Sequence, residues 1–420
     1  MEKFKINGIE TTLLKTNKFK TLSVYVVFFG EFNKEVATSK SLLSRVLNNT
    51  TKNYPTKKAV SNKLFDLYDA TVSVSSFPIY KTNLTLFSLG TVNPKFVGEE
   101  NLNKEAFSFF KEFIFNPNMD ENGFNEEVFN EEKRILRDQI NNVYNNKGLY
   151  AFNRLLDEMA KDEILSVSSL GTIENLDKLN KKSLQEAYNY MLDNEMVKIF
   201  VVGDIEKNEL TELFKDFNFK DNNVKLDTSS FETKKIEKVN EVIETQRINQ
   251  SQLMMGFRTN VNAMDELYVP MAVFNMMFGG MVSSDLFRVI REEHSLSYSV
   301  YSSIFFDNRL LVVNAGIDKS NYELASDLVI KELEKYKQRE IDEELLQIAK
   351  DNLISGLKET DDEAFSYLMF VIKNSLLKNY TADDIASRVE KVTVDDIYEA
   401  SLKVELDTIY LLKGDNNEGN

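Results

Sequence analysis

Apolar residues recur along this chain with two distinct periods. Across residues 126–144 they fall at Val128, Phe129, Ile135, Leu136, Ile140 and Val143. Spacings of three to four and seven predict a helix with one buried face. Residues 19–30, FKTLSVYVVFFG, are β-branched and aromatic with partial alternation, and 197–203, VKIFVVG, form a short apolar run before Asp204. Both predict strands. The stretch from Leu267 to Ser284 carries no charge, but Pro270, Asn275 and the pair Gly279-Gly280 interrupt it. It predicts a buried helix and turn, not a membrane span of about 20 apolar residues. Only 15 Gly and 5 Pro punctuate 420 residues, so the elements should be long.

Periodicity fades at residues 218–235, NFKDNNVKLDTSSFETKK, a polar segment that predicts a linker. On either side of it the chain resembles itself. KLFDLYDATVSVSS (63–76) lines up with DLFRVIREEHSLSYSVYSS (285–303), and LTLFSLGTVNPK (84–95) with LLVVNAGIDKS (310–320), placing Gly90 opposite Gly316. NKKSLQEAYNYMLDNEMVKIFVVGD (180–204) matches TVDDIYEASLKVELDTIYLLKGD (393–415). There Asn180 and Thr393 are expected as equivalent helix N-caps, and Ala187 and Ala400 share a helix position. Matches in one order at nearly one offset indicate two copies of a unit. The expected fold is therefore α+β: two tandem homologous halves, each an antiparallel sheet with helices packed on one face. The expected division is 1–217, a linker at 218–240, and 241–420. No Gly-rich strand–helix turn suggests a nucleotide site.

Composition narrows the chemistry. The formal charge is −16, from 51 basic and 67 acidic residues. That balance argues against nucleic acid or an anionic membrane as partner. Cysteine is absent, which excludes thiolate catalysis, thiolate metal sites and disulfides. There is one histidine, His294, so any mechanism that needs two is excluded. The first 20 residues hold no apolar core of signal-peptide type, and a cytoplasmic location is expected.

The most informative segment is MFGGMVSSDLFRVIREEHSLSYSVYSS, residues 277–303. It resembles the zinc peptidase family of pitrilysin, insulysin and mitochondrial processing peptidase, through Ser284, Leu286, Phe287, Arg291, Glu292, Leu296, Tyr298, Ser299 and Val300. YAFNRLLDEM (150–159), LGTIENLDKL (170–179) and IFVVGD (199–204) support the likeness. The resemblance implies an insulinase-like metallopeptidase fold over nearly the whole chain. It also implies an inverted H-x-x-E-H zinc motif in the first half, two histidines on one helix face with the glutamate as general base. Aligned on the Thr-x-x-x-Pro that follows the motif, the matching stretch is SLLSRVLNNTTKNYPT (41–56). The motif positions are then Ser41, Ser44 and Arg45, and the later-helix ligand falls on Gln139, with an accompanying acidic position at Glu132. Arg45 would set a fixed positive charge where a dication sits in the family. No zinc or other cofactor is therefore expected in this chain.

The family's second-half pair is retained. In that family an Arg and a Tyr reach the active site and hold the substrate backbone and the developing oxyanion, which here implies Arg291 and Tyr298. The structural alternative is that Tyr298 opens a strand and packs in the core while Arg291 makes an ion pair. The resemblance implies a non-catalytic subunit that pairs with an H-x-x-E-H-containing paralogue. It would complete the paralogue's peptide-binding chamber, with zinc held by the partner and an unfolded peptide as substrate. A homodimer, or a peptide-binding or scaffold protein with no role in proteolysis, is the alternative.

Other features have plainer readings. His294 lies in a turn, and a triad with Ser283, Ser284 or Ser297 lacks a nucleophile-elbow context. Glu126, Glu127, Glu131 and Glu132 read as a solvated helix start. Gly279-Gly280 reads as a helix end, and Met276, Met277 and Met281 as core packing.

Overall fold

The computed structural model describes every residue except 162, 223, 225–235, 361, 376–379 and 416–420. The centre of the expected linker thus lies outside the described residues. The chain divides into two compact units, and neither is contiguous. Met1–Asn142 and Val167–Asp227 form one, and Val143–Ser166 with Thr228–Asn420 form the other. The expected division at 217 and 241 made no provision for the exchanged segment.

The first unit runs through β1 (Glu2–Ile6), β2 (Ile9–Lys15), β3 (Thr21–Glu31), α1 (Lys34–Leu47), α2 (Lys57–Asp66), β4 (Thr71–Ile79) and β5 (Thr82–Val92). Next come α3 (Leu102–Phe115), a short hairpin of β6 (Met119–Asp120) and β7 (Gly123–Phe124), and α4 (Glu126–Asn142). After α5 (Lys147–Met159), part of the second unit, the chain returns as α6 (Ile173–Lys178), α7 (Lys181–Asn194), β8 (Met196–Gly203) and α8 (Lys207–Phe214). Six strands make one sheet in the order β1-β2-β8-β3-β5-β4. It is antiparallel except where β2 runs parallel to β8. That pair is joined through the whole helical layer, as a parallel connection requires. Alternation along β3 sends Leu22, Val24, Val26 and Phe28 into a core with Leu42 and Leu43 of α1, Phe107 and Phe110 of α3, Leu136 of α4 and Leu184 of α7.

The second unit contains β9 (Asn240–Gln246), β10 (Ser251–Arg258), α9 (Tyr268–Asn275), β11 (Ser297–Phe305), β12 (Leu310–Ile317) and α10 (Tyr322–Lys337). It continues with α11 (Glu343–Thr360), α12 (Ala364–Ser375), α13 (Ala382–Glu390), α14 (Val394–Ser401) and β13 (Glu405–Gly414). The strand order is β11-β12-β10-β13-β9, and only the β13–β9 pair is parallel. Leu253, Met255 and Phe257 face a core with Phe274, Met277, Leu333 and Ile397. The opposite face is also covered. Met254, Leu310, Val312, Tyr410 and Leu412 pack against Ala151, Leu155 and Met159 of α5. Helices on one face thus describe this sheet incompletely. A Cβ on Gly256 would collide with the Met159 thioether, so glycine is what lets α5 lie close. Arg258, almost fully buried, latches the helix end by donating from Nη2 to the Met159 carbonyl at 2.7 Å and from Nε to Asp407 at 2.8 Å.

The duplication read from the sequence is visible in these elements. Asn180 and Thr393 each cap their helix, α7 and α14, with a reciprocal capping box. Gly90 on β5 and Gly316 on β12 hold matching ladder positions, opposite Ser23 of β3 and Gln252 of β10. No helix among the described residues is long and apolar enough to cross a membrane.

Candidate functional site

In the first unit, α1 starts at Asn33, whose side chain accepts from the backbone N–H groups of Glu35 and Val36. The helix carries the three positions aligned with the zinc motif. Ser41 and Ser44 are buried, and Ser44 Oγ donates to the Ser41 carbonyl at 3.0 Å. Arg45 and Asn49, one turn apart, face Gln139 and Glu132, two turns apart on α4. Arg45 Nη2 donates to Gln139 Oε1. Asn49 Nδ2 donates to Glu132 Oε1 and to the Arg45 carbonyl, each at 2.9 Å. The residues placed together by alignment are thus neighbours across the α1–α4 contact.

This arrangement does not fit a zinc ion. It offers hydroxyls, an amide and a guanidinium where nitrogen and carboxylate ligands are required. The carboxylate nearby, Glu132, is buried and bound to Asn49. Burial holds the Arg45 guanidinium below the usual arginine range while Glu132 draws it back up, and Arg45 Nε is buried with no hydrogen-bond partner. Among the described residues no group of three or more His, Asp or Glu could hold a metal. The glutamates at the start of α4 are spent singly: Glu126 pairs with Lys181 at 3.3 Å and Glu131 with Lys57 at 2.8 Å.

In the second unit, α9 leads into a wide π-helical turn at Met276–Gly280 and a second at Phe287–Glu293. A Cβ on Gly279 would lie 2.8 Å from the Ser302 backbone nitrogen, so this glycine marks a close approach to β11. The second turn carries Arg291. Its five-residue bonding is seen in His294 N donating to the Val289 carbonyl at 3.2 Å. Ser295, at φ 53°, then turns the chain into β11.

The strand opens with a bulge. Ser297 pairs with Ile317 and Val300 with Ala315, leaving Tyr298 and Ser299 together opposite Gly316. The Ser297 hydroxyl fixes the bulge, donating to the Ser299 carbonyl at 2.6 Å and accepting from its N–H at 3.1 Å. Bulges re-aim side chains, and Tyr298 is 79% exposed. The Arg291 guanidinium lies 4.9 Å from the Tyr298 ring centre and 4.6 Å from that of Phe287.

The alternative of a core tyrosine beside a structural ion pair is therefore corrected. The bulge turns Tyr298 outward. The ion pairs of this turn belong to Arg288, which meets Asp285 at 2.8 Å and Glu293 at 2.5 Å. Among the described residues Arg291 meets no carboxylate within salt-bridge distance. The serine triad also fails. Ser284 Oγ is buried without a partner, Ser297 Oγ is engaged in the bulge, and among the described residues no serine hydroxyl bonds to His294. Sequence reading missed Arg288, whose spacing of three from Asp285 and five from Glu293 was available.

Comparison with known proteins follows the same lines. Residues 178–353 match the family model described as peptidase M16 inactive domain. The chain is similar to the probable inactive metalloprotease YmfF of Bacillus subtilis (strain 168), at 28% identity over 98% of this chain and 97% of that protein. A crystal structure of a conserved protein from Enterococcus faecalis V583 superposes with a TM-score of 0.92 at 28% identity, covering 99% of this chain and 98% of the other. The peptidase M16 inactive domain from Pseudomonas fluorescens shares the fold at TM-score 0.79 and 14% identity, covering 100% and 99%. The fold and the full-length likeness thus set this chain beside inactive M16 peptidase homologues, and the helix aligned with their zinc motif carries Ser41, Ser44 and Arg45 in place of metal ligands.

Proposed function

We propose that this chain is the non-catalytic subunit of a paired zinc peptidase. In this reading it binds an H-x-x-E-H-containing paralogue, which holds the zinc. Arg291 and Tyr298 complete the paralogue's active site and help hold an unfolded peptide. One observation carries the reading: an exposed tyrosine and an arginine that meets no carboxylate among the described residues are stacked on one another, so their polar ends remain available to a ligand. A fixed guanidinium and a phenol hydroxyl are donors suited to a peptide carbonyl and the charge it develops on attack. The finer likeness is to the inactive member of a bacterial pair associated with aminopentanol modification of elongation factor P. We place the complex in the cytoplasm.

The test is a peptidase assay on a quenched peptide library, with zinc quantified in the same samples. This chain, the paralogue and an equimolar mixture are compared. Activity confined to the mixture, lost on Arg291→Ala or Tyr298→Phe, is the expected result. A stable complex whose activity ignores both substitutions would favour a scaffold without a role in proteolysis. Activity and bound metal in this chain alone would overturn the reading.

A further inference from the structure

A strand at the edge of a sheet presents unpaired N–H and C=O groups to any extended peptide, and natural proteins blunt such edges. Of the four outer strands of the two larger sheets, three are blunted visibly. β1, EKFKI, carries Glu2, Lys3 and Lys5; β9, NEVIETQ, carries Glu241 and Glu244; β11 carries the bulge at Tyr298 and Ser299. The fourth, β4, differs: TVSVSSFPI is nine residues long and has no charge. By composition it is the edge most open to strand addition.

Its hydrogen bonding shows otherwise. The Val74 N–H points away from β5 and donates to Asn48 Oδ1 at 2.9 Å. The β4–β5 register is unbroken from Thr71–Gly90 to Ile79–Thr82. In an antiparallel ladder the outward groups alternate, so Val72, Val74, Ser76 and Pro78 form the outward row. Pro78 has no N–H to offer. Of the four outward positions, Pro78 has no donor and the Val74 donor, central among the remaining three, is taken. Asn48 is not loosely placed: it is the C-cap of α1, and its own N–H bonds to the Ser44 and Arg45 carbonyls.

We propose that Asn48 guards the free edge of β4, its amide oxygen occupying the seat that an incoming strand's carbonyl would take opposite Val74. The first unit is then closed to peptides that bind by adding a strand to this edge. Val72 and Ser76 flank the sealed position and cannot support a continuous ladder. This closure does not depend on the pairing proposed above. If that pairing holds, the closure also makes the peptide stoichiometry one per pair.

The test uses the full chain in two measurements. Backbone amide exchange is followed by NMR in the wild type, Asn48→Ala and Asn48→Asp, the last of which retains an acceptor. Val74 is expected to exchange about tenfold slower than Val72 and Ser76 in the wild type and Asn48→Asp, and to lose that protection in Asn48→Ala. Binding of a labelled peptide of alternating valine and threonine, about eight residues long, is read by fluorescence anisotropy. Asn48→Ala is expected to bind it about tenfold more tightly than the wild type, with Asn48→Asp unchanged. Equal affinity in wild type and Asn48→Ala would overturn the proposal. So would a wild-type Val74 amide exchanging as fast as Val72, a result that needs no variant to fold.

Discussion

Lys40 and Glu195 form an ion pair almost wholly out of water, with 5% and 4% of their side chains exposed. Lys40 lies on α1, the helix that carries Ser41, Ser44 and Arg45, and Glu195 caps the C-terminus of α7 just before β8. One carboxylate oxygen accepts from Lys40 Nζ; the other, Oε2, is buried without a partner. Burial drives the Lys40 ammonium below the usual lysine range, and Glu195 pulls it back. The pair is therefore finely balanced, and each member is supported mainly by the other. Lys40→Met removes the countercharge and leaves the carboxylate in a low-dielectric site. Breaking such a pair costs about 3–5 kcal/mol, whereas replacing both members with well-packed neutral groups is often neutral or stabilising by about 1–4 kcal/mol.

For a cooperative unit of about 200 residues, at about 2–4 °C per kcal/mol, Lys40→Met should lower Tm by about 6–20 °C. Scanning calorimetry on Lys40→Met, Glu195→Leu and the double variant reads this directly. The double variant should recover most of either loss. Additive single losses, or a Lys40→Met Tm within about 1 °C of wild type, would refute the argument.

Gly30→Ala on β3 should weaken the same site by about 1–3 kcal/mol, because its Cβ would lie 2.5 Å from the Glu195 carboxyl; urea midpoints measure it. Tyr298→Ala should change stability by less than about 0.5 kcal/mol, since the side chain is exposed; a larger loss would mean a structural role. Stability should fall as pH rises beyond about 10. Burial raises Tyr188 and Tyr336 well above the usual tyrosine range, and burial with Glu244 raises Tyr150 to about 12. The unfolded chain then loses protons that the folded chain keeps, an effect that tyrosinate absorbance and denaturation at stepped pH should report together. Restoring Ser41→His, Ser44→Glu, Arg45→His and Gln139→Glu should give about one bound zinc per chain by mass spectrometry; zinc-free protein that still folds would mean the register is shifted.

What was legible in the sequence follows from what periodicity encodes. The strand at 19–30 and the helix at 126–144 emerge as Thr21–Glu31 and Glu126–Asn142, because each must present one apolar face whatever it packs against. The N-caps at Asn180 and Thr393 were legible for a similar reason: a capping side chain acts on backbone within three residues. The contact of Arg45 with Gln139 is long-range, yet it was approached through alignment, which carries a partner's position where local pattern carries none. The destination of α5 could not be read that way. Its stripe of Ala151, Leu155 and Met159 marks a buried face, but nothing in that stripe says which sheet receives it. The answer lies more than ninety residues away, in the missing side chain of Gly256 and the buried Arg258. The bulge at Tyr298 escaped for the opposite reason. SYSVYSS alternates well enough to look like an ordinary strand, and one extra residue opposite Gly316 is enough to move a tyrosine from the core to the surface. The same one-residue arithmetic seats Val74 against Asn48. Both exposed functions proposed for this chain, an offered Arg–Tyr pair and a closed edge, thus rest on strand register. Composition and periodicity constrain the face of a strand, while the register is set by the bulges, caps and close approaches of the residues beside it.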